Sequence, residues 1–100
     1  MKLQIFTIYD QAANAYLPPF VRPAKGIAIR EFTDEVNREG SVINQHPKDY
    51  TLFHIGEWDN NNSQIKQFET KLSVGHAIEF LASPVDQEEN ITQFKRDNQA

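Results

Sequence analysis

A segment near the start of the chain interleaves aromatic rings with positive charges. Its two rings and three cations are Tyr16, Phe20, Arg22, Lys25 and Arg30. Single-stranded nucleic acid binds to such surfaces, because cations follow the phosphates while rings stack on unpaired bases. Three prolines in the same segment would hold the backbone extended. The pattern therefore predicts an exposed ridge that binds single-stranded DNA without sequence preference.

The same residues have a structural alternative. Phe20 could fill the core, and Arg22 or Arg30 could pair with acids that follow them in the sequence. Those acids are Glu31, Asp34 and Glu35. The two alternatives make opposite predictions about exposure, because a buried ring and neutralised cations leave no surface for a nucleic acid.

The sequence gives little support for a metal site or for nucleophilic catalysis. The histidines His46, His54 and His76 are separated by 8 and 22 positions, whereas zinc sites usually show closer pairs of ligands. The chain has no cysteine, and none of its serines has the flanking glycines of a nucleophile elbow. We therefore expect no metal ion, no cofactor and no enzymatic activity.

Apolar alternation and turn signals predict the elements that position these residues. The side chains of residues 2–9 would point alternately to two faces of a strand, and both faces are largely apolar. This pattern is typical of a strand at the centre of a sheet. A proline-containing connection over residues 11–25 follows. We predict a helix from Thr33, as its N-cap, to about Glu39, with an alternative start at Gly26.

The second half of the chain predicts a hairpin and a short helix. A turn over residues 44–49 precedes a strand over residues 50–58, and an asparagine-rich reversal over residues 59–63 follows. Residues 64–70 read as a weakly apolar strand at the edge of the sheet. Residues 74–81 place their large apolar side chains on one face of a helix.

These elements define an α+β fold. We predict a small antiparallel sheet of three or more strands, with one or two short helices packed on one face. A single domain is expected over residues 1–82, because residues 83–100 are polar and read as a mobile C-terminal tail.

Charge and hydropathy restrict the partners. The net charge is -4, and residues 51–100 carry the whole deficit. Local patches and not the total charge set the field near a surface, so this acidity does not exclude DNA binding. The N-terminus lacks the apolar run of a signal peptide, and no stretch approaches the roughly 20 apolar residues that span a bilayer. We expect no membrane partner.

Two blocks of sequence resemble a known family. Residues 26–37 read Gly-Ile-Ala-Ile-Arg-Glu-Phe-Thr-Asp-Glu-Val-Asn, and residues 46–59 read His-Pro-Lys-Asp-Tyr-Thr-Leu-Phe-His-Ile-Gly-Glu-Trp-Asp. With Pro19-Phe20 before them, in this order and spacing, the blocks resemble the small nonstructural protein of gokushoviruses. These viruses are a branch of the microviruses, which are phages with circular single-stranded DNA. The likeness covers about residues 1–82.

The resemblance implies a nonstructural phage protein in the cytoplasm of the bacterial host. It would help to control viral single-stranded DNA synthesis or bind DNA during that step. The alternative is a non-enzymatic adaptor that binds phage or host replication proteins, through its acidic second half and its tail, and does not contact DNA. A thin core and a weak edge strand also predict a homo-oligomer.

Overall fold

The computed structural model describes residues 1–82, and the predicted tail over residues 83–100 lies outside the described residues. In chain order the elements are β1 (Lys2–Asp10), β2 (Ala15–Tyr16), β3 (Phe20–Arg22), α1 (Lys25–Asn37), α2 (Val42–Gln45), a 3-10 helix (Pro47–Asp49), β4 (Tyr50–Asp59), β5 (Gln64–His76) and α3 (Ala77–Phe80). The described residues thus form one five-stranded antiparallel sheet with three α-helices, which confirms the predicted α+β fold.

β1 lies at the centre of the sheet, as its two apolar faces predict. The strand order is β2-β1-β4-β5, and β4 pairs with β1 along its whole length. β2 and β3 therefore share the other edge of β1, where Tyr16 lies opposite Tyr9 and Phe20 lies opposite Phe6. The connection predicted before the first helix thus contains two short strands, and between them lie prolines that cannot donate to the ladder.

The helices cover one side of the sheet, which we call the helix side. Phe6 and Leu52, which are fully buried, point to this side and form the core with residues of the helices. The helical members of the core are Ala28, Phe32, Val36, Ile43 and Ala77. Because successive residues of a strand point to opposite sides, Thr7, Tyr9 and Phe53 lie on the other side, which we call the open face.

The first helix begins earlier than its predicted N-cap. α1 starts at Lys25, close to the alternative start at Gly26, so the assignment of Thr33 as N-cap is wrong. Thr33 lies inside the helix, where its hydroxyl donates to the carbonyl oxygen of Ile29 at 2.7 Å. The helix extends back from Thr33 because its apolar face packs on the sheet, and packing outweighs the preference of a threonine for a cap.

The predicted hairpin is confirmed, but its second strand is longer than predicted. β5 lies at the edge of the sheet and continues to His76. Val74, which the sequence placed in a helix over residues 74–81, is therefore in β5, and α3 covers only Ala77–Phe80. The register of β5 against β4 is irregular, and residues 68–71 have no partner in β4.

Candidate nucleic-acid interface

Tyr16 is the predicted site residue that the open face presents to solvent. It belongs to β2 and its side chain is 48% exposed. Its cross-strand neighbour is Tyr9, and the centroids of the two rings are 4.7 Å apart. An exposed ring supported by a second ring is suited to stack on a planar ligand.

Phe20 lies on the opposite side of the sheet from Tyr16. It is paired with the buried Phe6, so its ring also points to the helix side, with the two centroids 5.9 Å apart. The guanidinium carbon of Arg22 lies 5.0 Å from the centroid of the Phe20 ring. Phe20 is therefore half-buried between the core and an arginine, as the structural alternative predicts.

Arg22 is neutralised by an acid of α1. Its Nε donates to Glu31 Oε2 at 2.7 Å, and its Nη1 donates to the carbonyl oxygen of Val21 at 2.8 Å. This is one of the pairs that the structural alternative allowed. Two of its five N–H donors are thus engaged, and Glu31 balances its charge.

Lys25 and Arg30 are exposed on α1, and neither has an ion pair within residues 1–82. Arg30 follows the buried Ala28 by two positions, so it points away from the sheet. The five predicted residues are therefore divided between the two sides of the sheet, and the expectation that they share one ridge was wrong. Neighbouring residues of a strand point to opposite sides of the sheet. Rings and cations that are interleaved in the sequence therefore do not form one shared surface.

The structure brings a different set of rings and charge together on the open face. Lys71 Nζ of β5 lies 5.4 Å from the centroid of the Phe53 ring and 5.9 Å from that of Tyr16. The centroids of Phe53 and Tyr16 are 6.2 Å apart. We call Tyr9, Tyr16, Phe53 and Lys71 the aromatic cluster. A lysine over the faces of two rings is held by cation–π attraction close to the place where a stacked ligand would lie.

A groove of about 640 Å³ continues from the aromatic cluster along the open face. Apolar side chains from the β2–β3 connection and from the sheet line it, and so do polar groups of β5. The lining residues are Thr7, Tyr16, Leu17, Pro18, Pro19, Ile55, Gln67, Phe68, Glu69 and Lys71. The groove is therefore largely apolar. Its β5 side carries one negative charge, on Glu69, and one positive charge, on Lys71.

The comparisons with known proteins give the family. The model of the family described as Phage ORF5 protein matches residues 3–80. The chain belongs to this family. It is thus a bacteriophage protein, and no curated protein and no solved structure matches it significantly.

The region that matches the family contains the whole aromatic cluster, of which the sequence pattern indicated only a part. Tyr16 was identified, but Tyr9, Phe53 and Lys71 were not, because their proximity depends on strand register. The alternation of the first strand, which puts Thr7 and Tyr9 on one face, was the available signal.

His54 and His76 lie at separate places in the structure. His54 is half-buried on the helix side, with Nε2 2.8 Å from Gln4 Oε1 and its ring centroid 4.8 Å from that of Phe6. Burial lowers the pKa of His54, and the charge of Lys25 lowers it further. His76 Nδ1 is hydrogen-bonded to Thr51 Oγ1 at 2.8 Å.

In residues 1–82 no three His, Asp or Glu side chains converge as potential metal ligands. None of the helices in that range is long and apolar enough to cross a membrane.

Proposed function

We propose that this phage protein binds single-stranded DNA without sequence preference and helps to control viral single-stranded DNA synthesis. We further propose that it is the small nonstructural protein of a gokushovirus and acts in the cytoplasm of the bacterial host. Membership of the Phage ORF5 family supports a phage role. The order of the Gly26 and His46 blocks supports the narrower assignment.

The aromatic cluster is the observation that carries the DNA-binding proposal. Tyr16 offers an exposed ring face, and Phe53 and Tyr9 support it from the neighbouring strands. Lys71 supplies a positive charge beside these rings, where it can meet the phosphate of a nucleotide whose base is stacked. Open sheets that display aromatic residues bind single strands in this manner in several unrelated folds.

The composition of the open face accounts for the lack of sequence preference. Every base has a π-face, so a ring that stacks does not distinguish one base from another. The groove offers few polar groups to read base edges, namely Gln67 and Glu69 beside Lys71, because Thr7 is buried and its hydroxyl donates to the carbonyl oxygen of Leu17. Double-stranded DNA keeps its bases stacked inside the helix, so it should bind less well than a single strand.

Fluorescence anisotropy with a labelled oligothymidylate, beside a duplex of equal length, tests this proposal. We expect Tyr16→Ala to weaken binding on the order of tenfold or more, because it removes one stacking platform. Tyr16→Phe keeps the ring and should bind like the unaltered protein. Lys71→Gln should reduce the slope of log K against log salt by about 0.7, the value for one phosphate contact on a single strand.

Lys48→Gln is the matched control for Lys71→Gln. Lys48 is exposed on the 3-10 helix and belongs neither to the aromatic cluster nor to the lining of the groove, so its loss should change neither affinity nor slope. The proposal fails if the protein does not bind the oligonucleotide at low salt, or if Tyr16→Ala binds as tightly as the unaltered protein.

An adaptor that binds a protein partner is the second candidate. Ile65 and Leu72 of β5 are 70% and 53% exposed, and exposed apolar residues of this size favour a protein contact. Under this alternative, removal of residues 83–100 should abolish the capture of phage or host replication proteins while residues 1–82 stay folded. An unchanged pull-down profile would count against it.

A further inference from the structure

The outer edge of β5 has no neighbour among the described strands. β5 is 13 residues long and pairs only with β4 in that part of the chain. Residues 68–71 also lack a partner in β4. A long edge strand presents unpaired N–H and C=O groups that can pair with another chain. The outer edge of β5 therefore presents backbone groups that no described strand pairs.

The sequence of β5 is complementary to itself about its central residue, Thr70. In an antiparallel pair of two β5 strands with Thr70 opposite Thr70, Glu69 of each copy lies opposite Lys71 of the other. In the same register Phe68 lies opposite Leu72. Pairs of opposite charge and pairs of apolar side chains, placed directly across a ladder, are favourable. This register also gives the longest overlap that two copies of β5 can have.

We propose that two copies of this protein form a dimer by pairing β5 with β5 in this register. Residues that lie opposite each other in an antiparallel ladder point to the same side of the sheet. The two sheets therefore join into one, with both sets of helices on one side. The two open faces become one continuous surface on the other side. Glu69 and Lys71 both line the groove of the open face, so the two charge pairs form on that surface. Each Lys71 ammonium has three N–H donors, so a lysine paired with Glu69 can still donate to a phosphate.

A cysteine at the symmetry axis tests the register directly, since the natural chain has no cysteine. In Thr70→Cys the two sulfur-bearing residues lie opposite each other, with Cα atoms about 4.5–5.5 Å apart, which suits a disulfide. We expect mild oxidation of this variant to give a covalent dimer. Gln67→Cys is the control, because in the proposed register the two copies of residue 67 are roughly 20 Å apart. It should remain monomeric under the same conditions in denaturing electrophoresis.

Charge reversal tests the complementarity. Sedimentation equilibrium without DNA should show that Lys71→Glu raises the dissociation constant of the dimer on the order of tenfold or more, because it places Glu opposite Glu. The combined variant Glu69→Lys with Lys71→Glu restores opposite charges and should dimerise like the unaltered protein. Lys48→Glu makes the same change in net charge outside β5 and should have no effect.

The dimer is overturned if the unaltered protein is monomeric at all concentrations, or if Thr70→Cys cross-links no faster than Gln67→Cys. It is also overturned if the combined charge variant fails to recover association. These measurements contain no DNA, so their failure leaves the DNA-binding proposal standing. Conversely, a protein that dimerises but binds no oligonucleotide retains this interface.

Discussion

Phe20 and Tyr16 are both aromatic residues of one short segment, yet their positions give them different roles. Phe20 packs between Phe6 and the Arg22 guanidinium on the helix side. Tyr16 points to solvent on the open face. The sequence shows two rings and their spacing, but only the strand pairing decides which ring is available to a ligand.

Alanine substitutions of Phe20 and Tyr16 should have different effects on the stability of the protein and on its affinity for single-stranded DNA. Phe20→Ala should lower the free energy of unfolding by about 2 kcal/mol, less than for a fully buried ring because Phe20 is half-buried. Its affinity for single-stranded DNA should not change. Tyr16→Ala should do the reverse, with a small loss of stability and a large loss of affinity. Urea denaturation and anisotropy on the same two preparations measure both effects, and equal losses in both variants would contradict the assignment.

At the scale of elements, the two long central strands were easier to predict than the helices. β1 and β4 show strong apolar alternation, and both were predicted to within about one residue. α1 was predicted too short because Thr33 resembles a cap, whereas the helix begins at Lys25 with no side-chain cap. β5 was predicted too short because its second half, next to the core, has an apolar spacing that also suits a helix.

The pairing of β4 with β5 depends on close backbone contact at Gly56. A Cβ atom at this position would lie 2.5 Å from the carbonyl oxygen of Lys66 in β5. Gly56→Ala should therefore push the strands apart and lower the free energy of unfolding by about 1–3 kcal/mol. Gly26→Ala is the matched control in α1, where the added carbon has open space. It should raise stability by roughly 0.4–1 kcal/mol.

Urea unfolding curves of the two glycine variants measure this difference. If Gly56→Ala is as stable as the unaltered protein, β4 and β5 do not approach each other in the way the structure describes.

At the scale of the whole molecule, the fold class was predictable and the site was not. An α+β fold follows from residue patterns that are local in the sequence. The aromatic cluster instead joins Tyr16 of β2, Phe53 of β4 and Lys71 of β5, three strands that are distant in the sequence. Their proximity is a property of strand order and register, and no local spacing encodes it.

At the same scale, the proposed DNA binding is compatible with an acidic protein because the two sides of the sheet differ. One side of the sheet is occupied by helices and holds the Arg22–Glu31 ion pair. The open face carries the rings and Lys71. If DNA binds there as we propose, binding would depend mainly on stacking and should be less sensitive to salt than binding by a basic groove.

Chemical-shift mapping of the protein with a short oligothymidylate tests the central claim most directly. We expect the perturbed resonances to belong to the open face. The largest changes in chemical shift should occur at Tyr9, Tyr16, Phe53 and Lys71. Changes confined to the α1 surface around Lys25 and Arg30, or no changes at low salt, would contradict this claim.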